Sequence, residues 1–200
     1  MNNLKEKRIG VFGGTFDPIH TGHIAIAKAA LEQAHLDRIL FVIASNPPHK
    51  YENRITSASL RAAMTADSIE GIAEFEASHI EIDHPGPSYT ADTLKRLHKL
   101  FTPSQLFFIV GYDSALDLPH WHEPNDILQL AKLLVAPRPE NKAPLAQNIV
   151  DNCMMLHMDE YPISSSEIRE RMERGENMEN WLPEAAVRFI TSKGLYRANN

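Results

Sequence analysis

Two runs in the sequence, Ile39-Leu40-Phe41-Val42-Ile43-Ala44 and Leu106-Phe107-Phe108-Ile109-Val110, contain no polar residue. A strand with one wet face alternates apolar and polar side chains. An unbroken apolar run suits a strand covered on both faces, as in a parallel sheet. Residues 8–12 read as a further strand, ending in Gly13-Gly14; 75–82 alternate imperfectly, 133–136 are apolar, and 154–158 supply a last strand. Helical stretches lie between them: the alanine-rich 24–34, then 59–69, 90–100 with Leu94 and Leu97 on one face, 126–131, 166–174 and 184–192. Strand and helix in alternation, joined by right-handed crossovers, predict an α/β fold: a doubly wound parallel sheet of Rossmann-like type. Pro47-Pro48 ends the second strand. The proline-rich and polar stretch 137–144 is a loop too short to separate one domain from another. We therefore expect a single domain over 1–200, closed by a helical region from about 163 to 200.

Composition narrows the setting. At 200 residues and 43% hydrophobic, the chain can bury a real core. Its 26 acidic residues outnumber 20 basic ones, a net charge of -6, which argues against nucleic acid as a partner. The single cysteine, Cys153, makes no internal disulfide and fits a reducing compartment. The start MNNLKEKRIG lacks the apolar stretch of a secretory leader, and no run reaches the ~20 apolar residues of a membrane span. The expectation is a soluble cytoplasmic protein with no membrane partner; a homo-oligomer is left open.

The strongest local signal is Gly13-Gly14-Thr15-Phe16-Asp17-Pro18-Ile19-His20-Thr21-Gly22-His23, between the first strand and the first helix. Doubly wound sheets bind ligands at the carboxyl ends of their strands. Paired glycines let the backbone approach a phosphate, and a helix start adds free N–H groups and partial positive charge. His20 and His23, three apart, lie on one side of the first turn and can donate hydrogen bonds to a crowded phosphate. The string is neither GxxxxGK[ST] nor GxGxxG. Asp17 would repel a polyphosphate, so it is expected to shape the turn.

Other segments carry weaker signals. One of Ser164, Ser165 and Ser166 should cap the helix that follows, which is either a plain capped helix with solvated arginines or a second anion site, with Arg169 one turn later able to grip phosphate oxygens in pairs. Lys50 is a point charge on a flexible stem after the Pro-Pro turn, suited to a phosphate or simply solvated. Free N–H groups of Tyr89 and Thr90 at a helix start would favour a carboxylate over a neutral amide. Trp121 is either a flat surface for an aromatic ring or a cover residue. Asp113, after a buried strand, suits ribose hydroxyls or a helix N-cap. His120 and His122 lack further spaced ligands, so no protein-held metal is expected.

The string GGTFDPIHTGH resembles the signature of the HxGH nucleotidyltransferases, which transfer AMP from ATP. Pro47-Pro48-His49-Lys50, Gly86-Pro87-Ser88-Tyr89-Thr90, Gly111-Tyr112-Asp113, Leu118-Pro119-His120-Trp121, Ile163-Ser164-Ser165-Ser166-Glu167-Ile168-Arg169 and Gly194-Leu195-Tyr196 resemble the landmarks of the nicotinate-nucleotide adenylyltransferases. They stand in family order and span nearly the whole chain. Ser166 stands where the family commonly has threonine, and Glu140 where it often has glycine.

The resemblance implies an ATP site of Gly13, Gly14, Thr15, Phe16, His20, His23, Gly111, Asp113, Arg138, Ile163, Ser164, Ser165 and Arg169. It implies a nicotinate-nucleotide site of Thr15, His49, Lys50, Ser88, Tyr89, Thr90 and Trp121. His20, His23 and Arg169 are the implied catalytic residues. The implied partners are ATP and nicotinate mononucleotide, and the products deamido-NAD and pyrophosphate, a step of NAD biosynthesis. The implied cofactor is Mg²⁺ carried by the ATP phosphates. Alternatives keep the chemistry and change the acceptor to nicotinamide mononucleotide or phosphopantetheine, or discard it for a non-catalytic nucleotide-binding module. A class I aminoacyl-tRNA synthetase-like domain is disfavoured by the Ile163–Arg169 string and by the net charge.

Overall fold

The computed structural model describes residues 6–45, 55–84, 86–138, 143–159 and 161–197. Six parallel strands form one sheet: β1 (Lys7–Gly14), β2 (Arg38–Ile43), β3 (Phe75–Ser78), β4 (Ser104–Gly111), β5 (Ala131–Ala136) and β6 (Cys153–Met155). Their order is β3-β2-β1-β4-β5-β6. The chain winds outward one way from β1, then crosses to β4 and winds the other way. That makes the β1/β4 boundary the topological switch point.

Eight α-helices cover the described sheet: α1 (Thr21–Gln33), α2 (Ala58–Ile69), α3 (Thr90–Phe101), α4 (Tyr112–Asp117), α5 (Pro124–Leu130), α6 (Gln147–Val150), α7 (Ser165–Glu173) and α8 (Glu184–Lys193). The period-2 alternation of side chains splits each strand between two cores. Phe12, Ile39, Phe41, Phe107, Ile109 and Leu134 face α1, α2, α7 and α8. Ile9, Val11, Leu40, Val42, Leu106, Phe108 and Leu133 face α3, α4, α5 and α6. This two-sided burial is the reason the strand sequences lack alternation. Among the described residues, no helix is long and apolar enough to cross a membrane.

Three expectations are corrected. The strand expected over 75–82 ends at Ser78; a turn follows, with the Asp83 N–H donating to the His79 carbonyl, so that Ile80 and Ile82 pack against opposite cores. The last strand is Cys153–Met155, not 154–158, and its partner is β5. Helix α1 starts at Thr21, three residues before the expected start, with His20 as its N-cap residue.

Candidate active site

The strands β1 and β4 end in Gly13-Gly14 and Gly111, side by side at the switch point. Beyond them opens a cleft of about 350 Å³. It is lined by Gly13, His20, Gly22, His23, Gly111, Pro137, Arg138, Asp159, Tyr161 and Ile163 to Ser166, with Phe12, Ile26, Ser114, Ala136 and Met158. Eight residues of the expected ATP site are therefore together: Gly13, His20, His23, Gly111, Arg138, Ile163, Ser164 and Ser165.

The β1–α1 turn brings the two histidines face to face. Phe16 takes a left-handed backbone angle (φ 48°) and turns its ring into the core. There it packs edge-on against Phe12 and His23, 5.6 and 5.0 Å between ring centres. What Phe16 can offer a nucleotide is thus backbone. The His20 and His23 rings stack at 3.7 Å. The His20 backbone N–H donates to Nδ1 of His23 (3.2 Å). An Nδ1 that accepts leaves the neutral ring's proton on Nε2. His20 is buried, which pushes its pKa down to about 4, and the nearby charge of Arg138 adds to the effect. It is neutral at pH 7. Gly22 gives the histidines room: a Cβ there would lie 3.0 Å from Nδ1 of His20 and 3.2 Å from Tyr161, so a side chain would fit only if these neighbours gave way by a few tenths of an ångström.

Helix α7 brings its N-terminus to the same turn. Ser164 is the N-cap, its hydroxyl accepting from the Glu167 N–H (3.2 Å). The Ser165 hydroxyl donates to the Pro18 carbonyl (2.9 Å) and Arg169 donates to the Asp17 carbonyl (2.6 Å) and to the Ser166 hydroxyl (3.3 Å). Arg169 therefore braces the turn rather than lining the cleft. Asp113 lies in the first turn of α4 and is not its cap; it pairs with Arg138 at 3.0 Å. Gly14 and Thr15 are not among the residues lining the cleft; the Thr15 carbonyl accepts from Arg61 (2.6 Å).

The residues expected to hold the second nucleotide gather elsewhere along the sheet end. Tyr89 is the N-cap residue of α3, and no side chain caps that end. The N–H groups of Tyr89 and Thr90 are among the four that a helix start leaves without intrahelical partners. The Ser88 hydroxyl accepts from the Ser45 N–H (3.2 Å), tying this turn to the end of β2. The Tyr89 ring packs against that of His122, tilted by 35° with centres 4.4 Å apart. Trp121 stands edge-on to Phe108 and donates its indole N–H to Asp117 (3.0 Å). His49 and Lys50 lie outside the described residues.

Sequence reasoning passed over two buried charged residues, Arg61 and Glu81, and gave the half-buried Tyr196 no role of its own. Arg61, 1% exposed, donates to the carbonyls of Thr56 (2.8 Å), Thr15 (2.6 Å) and Ala44 (2.8 Å) and so clamps β1, β2 and α2 together. Its sign was available: Arg61, Thr65 and Ile69 share the i, i+4 face of α2 that is buried. Tyr196 donates to Asp17 (2.5 Å), whose other oxygen accepts from the Thr56 N–H (3.3 Å). Asp17 indeed shapes the turn, from a fully buried position.

Known proteins place this geometry in a family. The sequence profile of the cytidylyltransferase-like family matches residues 11–171. A Thermus thermophilus protein named probable nicotinate-nucleotide adenylyltransferase is 42% identical over 95% of this chain and 100% of its own length. A Desulfitobacterium hafniense protein of the same name is 37% identical over 98% of both chains. Among solved structures, a Plasmodium falciparum nicotinic acid mononucleotide adenylyltransferase complexed with NaAD shares the fold. Its TM-score is 0.82 and its identity 20%, over 97% of this chain and 99% of that one. With its signature turn at the switch point and relatives matching from end to end, the chain belongs to the nicotinate-nucleotide adenylyltransferase family of cytidylyltransferase-like proteins.

Proposed function

We propose that the protein transfers AMP from ATP to nicotinate mononucleotide, giving deamido-NAD and pyrophosphate. The observation that carries this reading is the convergence of the stacked His20–His23 pair and the Ser164-capped start of α7 on one cleft at the switch point. That arrangement collects donors and partial positive charge around a polyphosphate. The acceptor's own phosphate, largely ionised at neutral pH because its second pKa is near ~6, attacks the α-phosphorus of ATP. A P–O bond forms to the acceptor, the α–β bridge breaks, and pyrophosphate leaves. No general base is required, and the cleft offers donors in preference to bases.

In this reading Nε2–H of His23 stabilises charge on the α-phosphate. His20, Gly13, Gly111, Ser164 and Ser165 hold the nucleotide, Asp113 and Arg138 exchange their mutual ion pair for it, and Arg169 keeps the turn and α7 in register. Lys50 and His49 meet the phosphates from the segment after β2. The start of α3 and Trp121 receive the nicotinate ring and its carboxylate, which unpaired N–H groups prefer to an amide. Mg²⁺ would arrive on the ATP phosphates, its shell filled by waters and substrate oxygens; Asp159 lines the cleft, and Asp113 pairs with Arg138 of its lining. A cytoplasmic setting goes with this reading.

The test follows label from α-³²P ATP. With nicotinate mononucleotide present, label should move into a dinucleotide. His23→Ala should slow that transfer about 10²-fold, the scale of a lost oxyanion donor, far more than it lowers stability. Label that stays in AMP, or a His23→Ala protein of normal turnover, overturns the reading.

A further inference from the structure

Glu81 has a place in the fold that the proposed chemistry does not explain. It sits in the turn after β3, held between Ile80 and Ile82, which pack against opposite faces of the sheet. Its side chain is 9% exposed. One oxygen accepts from the Thr93 hydroxyl (2.7 Å), in the second turn of α3. The other, Oε2, is buried with no hydrogen bond of good geometry. Burial pushes the carboxyl pKa up; the Thr93 and Ser88 hydroxyls, the Ser45 N–H and the charge of Arg96 oppose that rise. A buried carboxyl is costly unless polar groups face it, and this one faces the Ser88 hydroxyl and the Ser45 N–H, which join the end of β2 to the start of α3.

We propose that Glu81 is a positioning residue for the acceptor nucleotide: from beneath, it braces Ser88, Ser45 and Thr93 so that the start of α3 is held ready for the nicotinate carboxylate. This rests on the function proposed above. The Thr93 hydroxyl gives its proton to Glu81 while the Thr93 backbone N–H donates to the Tyr89 carbonyl (3.1 Å), so the brace reaches the cap residue through Thr93. Glu81 is not among the residues lining the ATP cleft. Its loss should therefore act on one substrate and not on the other.

Steady-state kinetics of Glu81→Ala, Glu81→Gln and Thr93→Val test this, with melting temperatures taken alongside. Glu81→Ala should raise KM for nicotinate mononucleotide about tenfold or more, with kcat and KM for ATP changed by less than about threefold. Its preference for the nicotinate over the nicotinamide acceptor should shrink. Glu81→Gln, which keeps an acceptor for Thr93, should stay within about threefold of wild type. Should Glu81→Ala fail to fold, Thr93→Val carries the same expectation, a selective rise of about threefold or more in the same KM. Constants that move together for both substrates, a fall confined to kcat, or no change overturn the positioning role while wild-type transfer stands. Wild-type protein without transfer overturns the function, and this role with it.

Discussion

At the scale of single residues, His20 shows what burial does to a group whose type the sequence already displays. The pair was visible as a spacing; its protonation was not, because that depends on side chains brought in from Arg138 and from the turn itself. With a folded pKa near 4 against 6.5 unfolded, the unfolded chain takes up the proton first. His20's contribution to stability is thus complete above pH 6.5 and is lost as pH falls toward 4, at up to about 1.4 kcal/mol per pH unit. Glu81 acts in the opposite sense, but it is present in both proteins of the comparison. Urea unfolding of wild type and His20→Gln at pH 7 and 4.5 should show wild type losing about 2 kcal/mol more on acidification. Equal losses would contradict the buried, neutral assignment. Arg61 and Glu81 escaped the reading for a related reason: charged side chains default to solvent, and only the fold reveals the carbonyls and hydroxyls that receive them.

At the scale of elements, strands buried on both faces were legible because two-sided burial erases polar residues from the sequence. The main helices were legible through alanine content and apolar stripes, and α7 through its serine cap. Helices α4 and α6 were not, since six and four residues are too few to display a 3.6-residue period. Nor was the coupling between remote elements. The segment after α8 returns to the signature turn, where Tyr196 donates to Asp17 and receives from Thr56. A hydrogen bond of this kind, lost from a buried acceptor, costs about 2 kcal/mol. Tyr196→Phe should lower unfolding free energy by about that amount in urea titration, with the slope unchanged. A loss below about 0.5 kcal/mol would mean that the tail does not hold the turn.

At the scale of the whole molecule, the strand order is what unites sites written far apart in the chain. Residues 13–23, 111, 136–138 and 163–166 meet only because β1 and β4 are neighbours and α7 packs back over their ends. The motifs and their order could be read in the sequence, and so could the expectation of a switch point. The docking of Arg169 onto Asp17 rather than into the cleft could not, because it depends on how α7 meets the turn. The central claim is that one cleft binds ATP while the start of α3 selects an acidic acceptor. Its most direct measurement is pyrophosphate release from ATP and Mg²⁺ with nicotinate mononucleotide, nicotinamide mononucleotide or phosphopantetheine offered separately. The account predicts release chiefly with the nicotinate acceptor. Release chiefly with either of the others would contradict it.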